Sequence, residues 1–392
     1  MGSTWSVWDE HCMRRALELA VRGQGHVEPN PMVGCVVAHP DRIVAEAFHE
    51  RFGEEHAERL ALRRAGPQAQ NATLYVTLEP CCHHGKTPPC TEAIVQAGVR
   101  RVVAACRDPF PRVQGGGLRS LQRAGLQVEV GLCQAEAVEV LAPYLTRLLD
   151  RRPWVIVKYA MTWDGKIATS GGQSRWISSE ESRQLVHQLR GRVDAIAVGS
   201  RTARQDDPLL IARGARSRTA LRVVFDSQAS LPLESQLVRT VNQAPVEVVA
   251  CRSADPARVA RLKAAGCRVW LGPEPYDQRL KAWLEDAAAR GITNLLVEGG
   301  AGLVGTFLDC RTIDELYLFL APKLLGGQRA PGPIAGRGIE SIGEALPLEV
   351  VDSRWLGPDW HAVARILRDR HHWYNATAGA AHASADADAV AQ

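Results

Sequence analysis

Apolar positions along the chain follow two spacings, and together they predict an α/β protein. In the first part of the chain, apolar residues such as Met13, Ala16 and Leu17 recur at helical spacing, until Gly23 and Gly25 interrupt them. Such patterns predict helices at 10–22, 55–65, 90–97, 117–124 and 134–149. Short apolar runs predict strands at 33–38, 43–48, 73–78, 101–106 and 128–130. The alternation of the two is typical of a layered α/β domain.

A charged break near residue 150 predicts a domain boundary. Asp150-Arg151-Arg152-Pro153 precedes a new apolar run, WVIVKYAM, and 392 residues are long for a single core. After it, strands are predicted at 195–198, 221–225, 246–250, 267–271, 295–298, 316–321, 348–356 and 361–367, and helices at 180–190, 255–265 and 277–290. We therefore predict domains at 1–150 and 151–370. Small residues with few core formers predict a disordered tail at 371–392.

Composition excludes several classes of function. The net charge is only +4, and no block of lysine and arginine suggests a nucleic-acid-binding arm. No apolar run approaches the roughly 20 residues that cross a bilayer, and the N-terminus lacks a secretory pattern. Ten cysteines in so long a chain do not indicate a disulfide framework. We expect a cytoplasmic homo-oligomer that acts on a small molecule and binds neither nucleic acid nor membrane.

Residues 56–90 carry the ligand types of a zinc site. The chain reads HAE at 56–58 and EPCCHHGKTPPC at 79–90. His56, Cys81 and Cys90 supply imidazole and thiolate, and a catalytic zinc keeps its fourth position for water, which it acidifies. Glu58 is placed to move the proton of that water. The zinc deaminase pattern H-x-E…P-C-x-x-C is matched in its first half.

The second half of that pattern is not matched, which leaves alternatives. Cys90 follows Cys81 by nine positions instead of three, and Cys82 is adjacent. A closed structural zinc could use both neighbouring cysteines or a histidine of the pair at 83–84, and the residues could also hold no metal. Glu58 favours the catalytic interpretation, because a structural zinc needs no acid or base.

The first domain resembles the deaminase half of the bifunctional riboflavin-biosynthesis deaminase–reductases. The resemblance is carried by PNPMVG at 29–34, by His49 seven residues before His56, and by LEPCCHHGKTPPC at 78–90. It implies a three-layer fold like cytidine deaminase, Zn²⁺, and deamination of a diaminopyrimidinone bearing a phosphoribosylamino group. The substrate contacts that it implies are Asn30, His49, His83, Lys86 and Asp108. The family often has Asp-Pro-Asn-Pro where this chain has Phe110, whose ring cannot replace the hydrogen bonds of an asparagine.

Gly300 to Gly305 match G-x-G-x-x-G between a predicted strand and a predicted helix. Glycines there let backbone N–H groups approach a phosphate. The dinucleotide fingerprint also requires an acid after the next strand, whereas 316–321 is followed by Pro322-Lys323. Three interpretations remain open: a unit that is not a Rossmann unit, a cofactor with a 2′-phosphate, or a tight turn without a ligand.

The second domain resembles the reductase half of the same family, whose fold is like dihydrofolate reductase. The shared motifs include KYAMTWDGKIAT at 158–169, VEGGAGLVG at 297–305 and APKLLGG at 321–327. The resemblance implies an NADPH site at Met161, Trp176, Thr202, Asp206, Ser227, Gly300, Ala301, Gly302, Leu303, Val304, Gly305 and Thr306. It implies substrate contacts at Ser174, Arg190, Leu210, Arg213 and Glu298. Lys158 and Asp164 are candidate proton donors, and core packing is the alternative role for Trp176.

The sequence thus predicts two activities in one chain. Zinc-dependent deamination, with Glu58 as the acid–base residue, would be followed by NADPH-dependent reduction of the ribosyl group to a ribityl chain. One alternative is a deaminase whose second domain only binds substrate. Another is a regulatory or RNA-binding protein built on an inactive deaminase, against which the intact His56, Glu58, Cys81 and Cys90 argue.

Overall fold

The computed structural model describes residues 5–85, 88–214 and 218–378, and these fall into two compact units. Unit 1 contains the described residues up to Asp150 and those from Asp369 onward, and unit 2 is Arg151–Arg368. The division falls within the charged segment that precedes the first strand of unit 2. A helix long and apolar enough to cross a membrane is not found among the described residues.

The elements follow the predicted alternation of helices and strands. Up to residue 150 they are α1 (Val7–Ala20), β1 (Gly34–His39), β2 (Arg42–Phe48), α2 (Ala57–Ala65), β3 (Thr73–Val76), α3 (Cys90–Gln96), β4 (Arg101–Ala104), α4 (Gly116–Arg123), β5 (Gln127–Val130), α5 (Gln134–Val140) and α6 (Ala142–Leu149). The next are β6 (Trp154–Thr162), α7 (Glu180–Arg190), β7 (Ala195–Gly199), α8 (Ser200–Gln205), β8 (Leu221–Phe225), α9 (Gln236–Arg239), β9 (Val246–Cys251), α10 (Pro256–Ala264) and β10 (Arg268–Gly272). The last are α11 (Tyr276–Ala289), β11 (Asn294–Val297), α12 (Ala301–Asp309), β12 (Glu315–Ala321), β13 (Leu348–Leu356), β14 (Asp359–Ile366) and α13 (His371–Thr377).

The sheet of unit 1 has the order β2-β1-β3-β4-β5. β1 is antiparallel to both neighbours, whereas β3, β4 and β5 are parallel. β1 lies so close to α1 that a Cβ on Gly34 would be 1.9 Å from the Ala16 carbonyl oxygen, so only glycine fits there. Buried side chains of α2, α3 and α4 pack with the sheet in one apolar core.

A buried polar cluster joins α1 to this sheet. The Asp9 carboxylate accepts hydrogen bonds from the Tyr75 hydroxyl at 2.7 Å and from Arg101 at 2.5 Å. Burial alone would raise the pKa of Asp9, but these bonds lower it below its usual range. The carboxylate is therefore ionised, and its hydrogen bonds connect α1 to β3 and β4.

Unit 2 contains a nine-stranded sheet of order β10-β9-β8-β7-β11-β6-β12-β14-β13. The strands from β10 to β12 are parallel, and β14 and β13 are antiparallel additions at one edge. The parallel strands are nearly all apolar because helices cover them, and Phe225, Trp283 and Phe307 form the centre of the core.

The short helices α8 and α9 were not predicted, and two further segments differ from the sequence predictions. The helix predicted over 134–149 is divided at Leu141 into α5 and α6, with Pro143 in the first turn of α6. The disorder predicted from 371 is wrong for 371–377, which form α13. Trp373 is only 1% exposed there, and the Thr377 hydroxyl accepts a hydrogen bond from Gln134 at 3.0 Å. A single buried tryptophan anchors a segment whose average composition predicts disorder; residues 379–392 lie outside the described part.

Candidate active sites

Three predicted metal ligands converge at the ends of two helices in unit 1. His56 is the residue that precedes α2, Cys81 lies in the loop after β3, and Cys90 begins α3. Their ligand atoms all lie within 4.8 Å of one another. The Nδ1 atom of His56 is 3.5 Å from the Cys81 sulfur and 3.4 Å from the Cys90 sulfur. One imidazole and two thiols at this spacing fit a zinc ion with an open fourth position.

The electrostatics of the cluster favour a thiolate. A hydrogen bond from the Cys90 thiol lowers the pKa of Cys81, and the backbone N–H of Cys90 also donates to the Cys81 sulfur at 3.3 Å. The hydrogen bond between the two thiols, together with burial, raises the pKa of Cys90. The arrangement therefore favours a thiolate on Cys81, which is the form in which a cysteine binds a metal.

Glu58 lies in the first turn of α2, only 3% exposed. Burial raises the pKa of its carboxyl group above the usual value, against the lowering effect of His56. A raised pKa moves a carboxyl group toward the range in which it can both accept and release a proton, which is the property that acid–base catalysis requires.

The neighbouring residues do not join the cluster. The Cys82 thiol lies 3.9 Å from the carbonyl oxygen of Arg112, and the largely exposed His84 faces Glu92 at 3.9 Å. Among the described residues, the group suited to a metal consists of His56, Cys81 and Cys90. The geometry therefore favours three protein ligands over the closed structural site.

A cavity of about 290 Å³ opens beside this cluster. His56, Glu58 and Cys81 line it, and so do four of the five predicted substrate contacts: Asn30, His49, His83 and Asp108. Lys86 lies outside the described residues. The cavity also has an apolar wall, which includes Phe110 and Val113. It has the mixture of apolar surface and few polar groups that is typical of small-molecule sites.

His49 has a defined tautomer in this cavity. Its Nδ1 faces the Glu55 carbonyl oxygen at 3.0 Å and therefore carries the proton, while Nε2 faces the Asn30 amide nitrogen at 3.2 Å and accepts from it. Burial lowers the pKa of His49, which keeps the ring neutral. Asn30 and His49 thus form one connected polar group.

Among the lining residues not singled out in the sequence are two polar side chains of α6. Tyr144 and Arg147 lie one turn apart on α6, and both line the cavity. The Arg147 guanidinium donates to the Pro29 carbonyl oxygen at 3.1 Å. Their spacing of three positions puts both on one face of α6, but only the folded structure shows that this face lines the cavity.

The glycine motif of unit 2 begins at Gly300, after β11, and its other residues form the first turns of α12 instead of preceding the helix as predicted. Gly300 has a positive φ of 86°, and a Cβ there would be 3.1 Å from the Thr202 hydroxyl. A Cβ on Gly302 would have no atom within 4 Å, whereas one on Gly305 would be 2.1 Å from the Ala335 carbonyl oxygen. Gly302 thus leaves open space, and Gly305 is required by close backbone packing.

The sheet order excludes a Rossmann unit around this motif. In a Rossmann unit the strand that follows the glycine-rich helix lies beside the strand that precedes it. Here β6 lies between β11 and β12. The end of β12 is not adjacent to β11, so the acidic residue of the dinucleotide fingerprint is not expected there. Its absence after β12 is therefore no evidence for a cofactor with a 2′-phosphate.

The remaining residues predicted for NADPH are found on several elements of unit 2. Met161 is near the end of β6, Thr202 is on α8, and Ser227 follows β8. Asp206 directly follows α8 and accepts a hydrogen bond from Ser174 at 3.3 Å. Of the residues at 301–306, Leu303 and Val304 are buried in the core, so only their backbone could face a ligand.

Trp176 is not a core residue. Its side chain is 63% exposed, and the Arg183 guanidinium lies 4.6 Å from its ring centre. The packing alternative for Trp176 is therefore wrong, and its ring is accessible to a ligand.

Two of the residues predicted to contact the substrate, Arg190 and Glu298, form an ion pair with each other. Arg190 on α7 donates twice to Glu298, at 2.5 and 2.7 Å. Burial alone would raise the pKa of Glu298, but Arg190 lowers it overall. An incoming phosphate would have to compete with this carboxylate for Arg190, whereas Arg213 is exposed. Leu210 is buried in a left-handed conformation with φ 51°.

The two candidate proton donors, Asp164 and Lys158, differ in their surroundings and in the cause of their pKa shifts. Asp164 accepts hydrogen bonds from Thr162 at 2.6 Å and from Gly326 at 2.6 Å, and these lower its pKa to about 2. It is ionised at neutral pH and stabilises a loop, so it is not a proton donor. Burial lowers the pKa of Lys158, whose ammonium group lies 5.6 Å from the Phe319 ring centre.

Two family models match the chain. Residues 6–106 match the cytidine and deoxycytidylate deaminase zinc-binding region, and residues 153–362 match the RibD C-terminal domain. Among curated proteins, the riboflavin biosynthesis protein RibD of Actinobacillus pleuropneumoniae is 39% identical over 88% of this chain and 92% of its own length. The Escherichia coli protein of the same name is 38% identical over 90% of this chain and 97% of its own length.

Solved structures show the same similarity. Acinetobacter baumannii RibD, form 1, is 35% identical with a TM-score of 0.81, over 92% of this chain and 99% of that one. A Thermotoga maritima protein described as a diaminohydroxyphosphoribosylaminopyrimidine deaminase/5-amino-6-(5-phosphoribosylamino)uracil reductase is 33% identical with a TM-score of 0.78, over the same shares.

Proposed function

Because the chain belongs to the RibD family, we propose that it carries out two successive reactions of riboflavin biosynthesis. The first is hydrolytic deamination of 2,5-diamino-6-(5-phosphoribosylamino)pyrimidin-4-one in unit 1. The second is NADPH-dependent reduction of the deaminated ribosyl compound to its ribityl form in unit 2. The observation that carries the proposal is the cluster of His56, Cys81 and Cys90 beside a buried Glu58, in a chain whose residues 153–362 match the RibD C-terminal domain.

The ligand set in unit 1 fits Zn²⁺. His56, Cys81 and Cys90 would hold the ion, since imidazole and thiolate are its preferred ligands. Zinc bound there supplies a Lewis acid that lowers the pKa of a bound water molecule. The low pKa of Cys81 supports this assignment, because it makes a thiolate available at neutral pH.

Glu58 is proposed as the acid–base residue of the deamination. From the first turn of α2 its carboxylate reaches the cavity that His56 also lines. It would take a proton from the attacking water and deliver it to the ring nitrogen and then to the departing ammonia. Its burial supports the role by making the protonated form accessible.

Polar groups of the cavity are proposed to bind the pyrimidine and its phosphoribosyl group. The Asn30 amide nitrogen already donates to neutral His49, which leaves the amide oxygen of Asn30 for the substrate. Asp108 and His83 line the same cavity. Lys86 is retained as a proposed phosphate contact on the resemblance alone.

The loop after β11 is proposed to receive the cofactor in unit 2. NADPH supplies the hydride that reduces the ribosyl carbon. The fit rests on the open space at Gly302, on the helix that begins at Ala301, and on Thr202 beside Gly300. A helix N-terminus of this kind favours a phosphate group. The exposed ring of Trp176 and the Ser174–Asp206 pair are proposed as further contacts.

Glu298 and Arg190 are proposed to orient the ribosyl substrate. Their two short hydrogen bonds fix both side chains, so that polar atoms not used in the pair have defined directions. Lys158 is electrostatically coupled to Glu298 and is the remaining candidate proton donor, because burial makes its ammonium group easier to deprotonate.

We propose a cytoplasmic location and a homo-oligomer. All ten cysteines are free of disulfide bonds, which is the usual state of thiols in a reducing cytoplasm. The oligomer is supported by β13, an edge strand with exposed Val350 and Trp355, because such an edge can pair with a second copy. Trp355→Lys should then lower the mass in solution, measured by light scattering, to that of a single chain.

Product analysis tests the proposed function directly. The purified chain, given the diaminopyrimidinone substrate without NADPH, should release ammonia and accumulate the deaminated ribosyl compound. With NADPH it should form the ribityl product in an amount equal to the NADPH oxidised. Accumulation of the ribosyl compound in both conditions would instead indicate a deaminase whose second unit only binds substrate.

A further inference from the structure

The cavity of unit 1 extends beyond the part of the chain that is shared with other deaminases. The zinc-binding region covers residues 6–106, which include His56, Glu58, Cys81 and Cys90. Five lining residues follow it in the sequence: Asp108, Phe110, Val113, Tyr144 and Arg147. The shared region thus contains the reacting groups, and the residues after it are free to determine which heterocycle binds.

Asp108 and Tyr144 form the polar part of this wall. The Tyr144 hydroxyl donates to Oδ1 of Asp108 at 2.8 Å, and the backbone N–H of Phe110 donates to the same oxygen at 2.9 Å. Within the described part of the chain, Oδ2 accepts no hydrogen bond. Both side chains are buried, at 7% and 6% exposed. A buried carboxylate with one unused oxygen beside a cavity is suited to accept an N–H group from a ligand.

Phe110 supplies no side-chain hydrogen bond on this wall. Its ring lies 6.2 Å from the His83 ring and lines the cavity as an apolar surface. The only side-chain hydrogen bond to the Asp108 carboxylate among the described residues therefore comes from Tyr144. Without it, the carboxylate would be held by one backbone N–H and could rotate about its terminal torsion, which is soft.

On the basis of the proposed function, we propose that Tyr144 is a positioning residue for substrate recognition in unit 1. Its hydroxyl fixes Asp108 so that Oδ2 accepts a hydrogen bond from an N–H or amino group on the edge of the pyrimidine. Tyr144 thereby contributes to affinity for an amino-substituted heterocycle, while Glu58 and the metal ligands determine the rate of the chemical step.

Tyr144→Phe tests this role because it removes one oxygen atom and keeps the ring. We expect the KM of deamination to rise roughly tenfold, since a hydrogen bond to a charged group is lost, and kcat to change less than about threefold. Ammonia release at varied substrate concentration gives both constants. An unchanged KM, or a loss confined to kcat, would overturn the proposal.

Tyr75→Phe is the matched control. Tyr75 also donates its hydroxyl to a buried carboxylate of unit 1, that of Asp9 at 2.7 Å, but it does not line the cavity. This variant should lower the temperature of unfolding and leave KM unchanged. An equal rise of KM in both variants would show a merely structural role for Tyr144 and would overturn the proposal.

A double-mutant cycle with Asp108→Ala shows whether Tyr144 acts through Asp108. Tyr144→Phe should raise KM roughly tenfold in the unmodified chain but less than about twofold when Asp108 is already alanine. Equal effects in both backgrounds would contradict the positioning role. Ammonia release by the unmodified chain tests the proposed function separately: its absence would overturn both proposals, whereas an unchanged KM in Tyr144→Phe overturns only this one.

Discussion

Glu58→Gln is expected to reduce ammonia release by roughly 10³-fold, the middle of the range for loss of a general acid–base residue. Glutamine has nearly the same shape as glutamate but cannot carry the proton. Glu58 is buried in the first turn of α2 and lines the cavity. It is not among the three clustered ligands, so the variant should retain its zinc. Ammonia assays and metal analysis of the same preparation measure both properties.

Glu55→Gln makes the same chemical change three residues earlier. The Glu55 carboxylate is partly exposed and pairs with Arg63 at 2.9 Å, and it does not line the cavity. This control should therefore deaminate at the normal rate. Ammonia release by Glu58→Gln within tenfold of the unmodified chain would exclude the proposed role of Glu58.

Cys90→Ser is expected to lose its metal, with the zinc content falling at least about tenfold. Even residues that only support metal ligands typically change affinity 10–100-fold, and a serine hydroxyl is a much poorer zinc ligand than a thiolate. Cys90 is fully buried, and its sulfur is 3.4 Å from the ligand nitrogen of His56. Deamination should fall in proportion to the zinc content, which elemental analysis after gel filtration measures.

Cys82→Ser is the control for that change. Cys82 is adjacent to a proposed ligand, but its thiol faces the Arg112 carbonyl oxygen instead of the cluster. We expect normal zinc content and normal deamination. Loss of zinc from this variant, or its retention in Cys90→Ser, would show that the three ligands are wrongly assigned.

The metal cluster could be predicted because its signals are local in the sequence. The two-residue spacing of His56 and Glu58 and the residue types at 81 and 90 point to one chemistry, and the beginnings of α2 and α3 bring them together. The alternation of elements likewise predicts an α/β fold, because hydrophobic spacing differs between helices and strands.

Other features depend on contacts between distant parts of the chain. Tyr144 meets Asp108 across 36 positions, and Arg190 meets Glu298 across 108, and no local pattern marks either pair. The position of β6 between β11 and β12 is also a property of the sheet as a whole. The helix at 371–377 was missed because the burial of Trp373 depends on its neighbours in unit 1 and not on the composition of the tail.

The central claim is that one chain carries two sites with separate chemistry. The most direct measurement is NADPH oxidation by purified Glu58→Gln protein supplied with the deaminated ribosyl compound. Since Glu58 belongs to unit 1 and the proposed NADPH site to unit 2, we predict oxidation at the rate of the unmodified chain, with one ribityl product formed for each NADPH consumed. No oxidation by either protein would contradict the claim that unit 2 is a reductase, and loss in Glu58→Gln alone would contradict the separation of the two sites.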